Sequence, residues 1–118
     1  MNEQEFKDRT KLFALKIITL VDQLPNTTSG LVIGKQLLRS ACSVGANYRA
    51  ACRAKSTTDM ISKLSTAEEE ADESLYWMEI LNDSGKCGTD KLTAIMAECN
   101  EITAIIVASI KTLRKRLN

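Results

Sequence analysis

Leu92, Cys99, Ile106 and Leu113 recur every seven residues in the last third of the chain, interleaved with Ile95, Met96, Ile102, Thr103 and Ile110. A heptad of this kind lays one apolar seam along a helix, which must then pack lengthwise against other helices. Three earlier segments carry the helical period as well. Phe6, Thr10, Phe13, Ile17, Leu20, Val21 and Leu24 share one face of the first. Ile33, Leu37, Ala41, Val44, Tyr48 and Ala51 share one face of the second, and Met60, Leu64, Ala67, Ala71, Leu75, Met78 and Leu81 one face of the third. The spacing predicts helices over approximately 3–24, 30–53, 58–82 and 89–117.

The breaks between these stretches have chemical causes. Pro25 forbids continuation of the first helix, and the polar run Asn26 to Gly30 offers Ser29 as a cap for the second. Ser56, Thr57 and Thr58 offer a cap to the third. Asp83 to Gly88 read as a turn, after which Thr89 is placed to cap the fourth. Connections of about three to seven residues force neighbouring helices to run in opposite directions. The expected fold is therefore all-α, one domain over residues 1–118, an antiparallel up-and-down four-helix bundle. With 118 residues, 44% of them hydrophobic, the chain can bury a core without a disulfide or metal staple.

Net charge is only +1, so the distribution of charge carries more information than its sum. Lys35, Arg39, Arg49 and Arg53 fall within about 80° of one another on the side of the second helix opposite its apolar face, with small Cys42 and Ala46 between them. Glu68, Glu69, Asp72, Glu73 and Glu79 spread over the outer side of the third helix, with Glu70 at the edge of its apolar stripe. The fourth helix closes on Lys111, Arg114, Lys115 and Arg116, cations that suit a helix C-terminus. On the first helix Leu12, Leu15 and Ile18 lie off the core stripe, which implies a second apolar surface and, in a small protein, a second subunit to cover it.

Catalytic chemistry finds little purchase. The chain has no histidine, which removes the commonest general base and the usual triads. Carboxylate-bridged metal bundles need Glu-x-x-His pairs, and no Gly-rich phosphate loop is present. Cys42, Cys52, Cys87 and Cys99 form no CxxC pair, so no zinc site is expected. Three of them fall within predicted helices among small or apolar residues, where a reduced thiol behaves as a small hydrophobe. Gly34 and Gly45 each cost about 1 kcal/mol inside a helix, a cost that close packing against a neighbour would offset. The first turn is polar and no apolar run approaches the ~20 residues of a membrane span. The expectation is a cytoplasmic protein without enzymatic activity, cofactor or metal.

The stretch Arg39-Ser-Ala-Cys-Ser-Val-Gly-Ala-Asn-Tyr-Arg-Ala-Ala-Cys-Arg53, followed by Ala67-Glu-Glu-Glu-Ala-Asp-Glu-Ser-Leu-Tyr-Trp77, resembles the bacterial four-helix-bundle proteins encoded in 23S ribosomal RNA intervening sequences. The likeness rests on Arg39, Ala41, Ser43, Val44 and Asn47 in the second helix and on Glu73 in the third, and it extends from Phe6 to Leu117. The resemblance implies a homopentameric ring of bundles. That family is in turn similar to the accessory proteins of diversity-generating retroelements, pentameric bundles that bind nucleic acid and a reverse transcriptase.

Two functional readings compete. In the first, an oligomer associates with RNA or DNA, or with a nucleic-acid-bound protein such as a reverse transcriptase. Repeated copies of Lys35, Arg39, Arg49 and Arg53 and of the Arg114, Lys115, Arg116 tail would make sequence-independent phosphate contacts. With five aromatic residues in the chain, base stacking contributes little. In the second, the arginines pair with Glu69, Glu70 and Glu73, and Arg39, Ser43, Asn47, Glu70 and Glu73 form a structural polar network in a scaffold without nucleic-acid binding. A small-molecule site on the Cys42 and Ala46 floor has no convergent polar set to support it.

Overall fold

Three side-chain oxygens start three of the helices. Asn2 accepts from the Glu5 amide at 2.8 Å, Thr27 from the Gly30 amide at 3.1 Å and Ser56 from the Asp59 amide at 3.0 Å. Each satisfies a donor that the first helical turn leaves without an internal partner. The computed structural model describes residues 1–88 and 90–117, and it holds four helices: α1 (Glu3–Asp22), α2 (Thr28–Cys52), α3 (Thr57–Asp83) and α4 (Asp90–Leu117). The cap of α2 is Thr27 rather than Ser29, which lies inside the helix; the helix starts earlier because the Thr27 hydroxyl already reaches Gly30. Regular α-helix in α1 stops at Asp22, two residues short of the expected Leu24, and the chain tightens there with Gln23 and Leu24 amides donating to Leu20 and Val21 carbonyls. The expected cap Thr89 lies outside the described residues.

α1 packs on α2, α2 on α3, α3 on α4, and α4 back on α1, while the backbones of the diagonal pairs stay apart among the described residues. Contacts run in opposite order along each adjacent pair. Phe6 meets Tyr48 edge-on at 4.6 Å between ring centres, whereas a methyl group added to Gly34 would meet Val21 and Leu24. Arg39 reaches Glu70 and Glu73, while Lys55 and Asp59 join across the turn between the same helices. Cys99 donates its thiol proton to the Ala71 carbonyl at 3.2 Å. The result is an antiparallel up-and-down bundle, 49 Å long and 22 Å across.

The core is what the apolar periods require. Phe6, Phe13, Ile17 and Leu20 of α1 meet Leu37, Ala41, Val44 and Ala51 of α2, Leu64, Ala67, Ala71, Met78 and Leu81 of α3, and the whole heptad of α4. Among the described residues no buried polar side-chain atom lacks a hydrogen bond. Gly34 and Gly45 both face α1, where an added methyl would stand 3.2 Å from Val21 and 3.1 Å from the Thr10 hydroxyl. α4 alone among the described helices is long and apolar enough, by length and composition, to cross a membrane, although no bare run of that length was expected. Here its Leu92, Cys99, Ile106 and Ile110 face is buried against its neighbours.

Leu12 and Leu15 remain 50% exposed and Ile18 39%, so α1 keeps an open apolar face after the bundle is complete. Gly30 is the position most intolerant of a side chain, because a methyl there would lie 2.2 Å from the Pro25 carbonyl oxygen. Gly30→Ala is therefore expected to lower the unfolding free energy by about 1–3 kcal/mol. A urea titration with unchanged slope checks it.

Candidate nucleic-acid interface

Small side chains on the facing sides of α2 and α3 let the two helices approach closely. The Ser40 and Ser74 hydroxyls stand 2.9 Å apart in the core, and each also lies within reach of a carbonyl of its own helix, Leu37 at 3.2 Å and Glu70 at 2.9 Å. That register carries Arg39, next along the chain from Ser40, over the edge of α3. Its guanidinium donates to Glu70 Oε2 at 3.0 Å and to Glu73 Oε2, and the Trp77 indole donates to the same Glu73 oxygen at 3.1 Å. The Trp77 hydrogen bond, with Arg39 behind it, holds the Glu73 carboxyl below its usual range.

Arg39 is thus an α2–α3 clamp rather than a free cation. Ser43 and Asn47 do not join it. Asn47 donates to the Ser43 carbonyl at 2.9 Å and to its hydroxyl at 2.8 Å, a bond within one helix, so the five-residue network expected from the sequence divides into two unconnected parts. Glu69 is exposed and, among the described residues, takes no part in an ion pair.

Lys35, Arg49 and Arg53 are exposed, and no described carboxylate lies within 4.0 Å of them. The antiparallel topology decides what stands near them. The end of α2, the start of α3, the start of α1 and the end of α4 share one end of the bundle. Arg49 and Arg53 therefore lie toward the same end as the exposed Arg114, Lys115 and Arg116. Lys55 in the intervening turn and Lys7 and Lys11 on α1 add to that end. Lys35 sits toward the opposite end. No single helix shows this gathering, because it sums segments far apart in the chain.

Between α1 and α2, beside that end, runs an open cleft of about 480 Å³. Ala14, Cys42, Gly45 and Ala46 form its floor and Lys7, Lys11 and Arg49 its cationic rim, with Asp8 the opposing charge. Cys42 is exposed there, on the side of α2 where its angular position sets it, and not in the core as expected of a helical thiol. Cys99 is the buried thiol, pushed up to about 12 by desolvation, while Cys52 and Cys87 are half-buried.

One pair escaped the sequence reading entirely. Arg9 on α1 holds Glu98 on α4 with two hydrogen bonds, at 2.7 and 2.6 Å, and reaches Glu101 at 3.1 Å. These groups are 89 and 92 residues apart, and nothing short of the helix order predicts that they meet. Hydrogen bonding to Arg9 keeps the Glu98 carboxyl below its usual range.

Fold and surface together define an all-helical bundle with one basic end, an open cleft beside it and an uncovered apolar face. The model of the family described as 23S rRNA-intervening sequence protein matches residues 2–108. The chain belongs to that family. It is also similar to a crystal structure, at 1.70 Å, of a protein of unknown function from the S23 ribosomal protein family of Bacteroides thetaiotaomicron VPI-5482. The two are 36% identical, with a TM-score of 0.86 over 94% of this chain and 99% of that one. No match is found among functionally curated proteins.

Because Glu98 is depressed in the folded state, the unfolded chain binds more protons between the folded value and the ordinary carboxylate value near 4.5. Its stabilisation is complete above that range and is lost as pH falls through the folded value. Glu98→Gln is expected to cost about 1 kcal/mol at neutral pH and to flatten the acid limb of the stability curve. Glu73, shifted the same way, leaves part of that limb in place. Chemical unfolding between pH 3 and 7 reads both effects.

Proposed function

We propose that the chain is a non-enzymatic, self-associating module of the cytoplasm that holds RNA or DNA by its phosphate backbone. The observation that carries this reading is the basic end, where Arg49 and Arg53 of α2 and Arg114, Lys115 and Arg116 of α4 stand exposed without carboxylate partners among the described residues. A monomer of net charge +1 attracts a polyanion weakly. Association with further copies would repeat the basic end, and family resemblance suggests five copies in a ring. Repetition converts weak phosphate contacts into useful avidity. Contacts of this kind are sequence-independent and salt-sensitive.

The scaffold reading retains one specific support, the Arg39 clamp onto Glu70 and Glu73. It accounts for Arg39 and leaves Arg49 and Arg53 without a role. The two readings separate in fluorescence anisotropy of labelled structured RNA, with mass from light scattering recorded alongside. Micromolar or tighter binding at low salt is expected, weakening linearly in log salt and falling about tenfold or more in an Arg49→Glu, Arg53→Glu variant of unchanged mass. An intact oligomer that binds no RNA or DNA at low salt contradicts the proposal and turns attention to a protein partner.

A further inference from the structure

Resting on that reading, the geometry points to the route the nucleic-acid strand takes: from the basic end it enters the cleft between α1 and α2, and Lys11 with Arg49 holds a phosphodiester over the Cys42, Gly45 and Ala46 floor. The sequence alone draws a different route, straight along α2 from Arg53 through Arg49 to Arg39 and Lys35. Two observations close that route. Arg39 spends its donors on Glu70 and Glu73, so it has fewer left for a phosphate. Those two carboxylates, with exposed Glu69 beside them, also place negative charge where the strand would pass, and like charges repel.

The cleft offers what the outer face of α2 lacks. The buried Thr10 side chain packs directly on Gly45 and closes the bottom of the cleft. Ala14, Cys42 and Ala46 keep the trough shallow and open, so a backbone can come down to the floor. Lys7 and Lys11 stand one turn apart on the α1 wall, about 6 Å along the axis, and Arg49 and Arg53 repeat that spacing on α2. Lys7 is partly neutralised by Glu3 at 3.1 Å, which leaves Lys11 as the freer α1 cation. Asp8 is the one acid in the wall, and its carboxylate accepts from the Gln4 amide at 2.9 Å, on the α1 side of the cleft. The balance of the lining is positive, as a phosphodiester requires.

The test uses the intact protein and a labelled oligonucleotide, measuring binding against salt for single neutral variants. Lys11→Gln is expected to reduce the slope of log affinity on log salt by about 1, as removal of one phosphate contact does, and Arg39→Gln to leave it unchanged. A lost slope in Arg39→Gln with none in Lys11→Gln overturns the cleft route and restores the outer one. A slope lost only on changing Arg49 or Arg53 overturns the cleft route while the basic-end reading stands. Failure of the wild-type chain to bind removes both. Exposed Cys42 supplies an independent footprint: bound oligonucleotide is expected to slow its alkylation by iodoacetamide several-fold, read peptide by peptide, with Cys87 unaffected. Equal protection by inorganic phosphate alone would mean that the cleft takes a free anion rather than a strand. Inertness of Cys42 before any nucleic acid is added would mean that a second copy already fills it. Either result overturns the proposal.

Discussion

The small buried faces of α2 and α3, with Ser40 and Ser74 meeting at 2.9 Å between them, set the register of the two helices, and much of the surface follows from it. Ala41 and Ala51 on one helix and Ala67 and Ala71 on the other are fully or almost fully buried, so the backbones approach without large side chains between them. A polar pair inside such a seam contributes little net stability, because each hydroxyl keeps an acceptor in its own helix, the Leu37 or the Glu70 carbonyl. Registers that press a larger side chain onto these small faces are disfavoured by overpacking. With Ser40 opposite Ser74, Arg39 falls opposite Glu70 and Glu73, and one of the four cations on the outer side of α2 becomes an interhelical clamp.

The same seam explains the motif residues of the family as they stand in this chain. Ala41 and Val44 are core, Arg39 and Glu73 bridge α2 to α3, and Ser43 with Asn47 satisfies polar groups along one helix. Each of these roles is structural. The proposed phosphate contacts fall to other residues, Arg49, Arg53 and the α4 tail.

Helix number, order and core were legible in the sequence because an apolar stripe at helical period has one physical outcome, burial against a partner helix. Of the apolar positions assigned to the core, Val21, Leu24, Ile33, Tyr48, Met60, Leu75 and Met96 stay partly open and the rest are buried. Surface pairing was less legible. An angular projection of one helix sets Arg39 near Lys35 and Arg49 yet cannot show that α3 carries two carboxylates to within reach of Arg39. Nor can it show Arg9 meeting Glu98, which depends on α1 and α4 closing the cycle. For Cys42 the angular position on the outer side of α2 agrees with its exposure, and the general expectation of a buried helical thiol does not. The basic end, like the Arg9 pair, is a product of topology, joining Arg53 to Arg116 across the whole length of the chain.

The proposed function depends on how the fold sorts its arginines: Arg9 and Arg39 spent between helices, Arg49, Arg53, Arg114 and Arg116 left to the solvent. The most direct test is a titration of the protein with an unlabelled oligonucleotide, followed by the nitrogen and proton resonances of the individual arginine side chains. The account predicts that the Arg49 and Arg53 signals, together with those of the α4 tail, move with added nucleic acid while Arg9 and Arg39 stay in place. Movement of Arg39 equal to that of Arg49, or no movement at Arg49 and Arg53 while nucleic acid is bound, would contradict it.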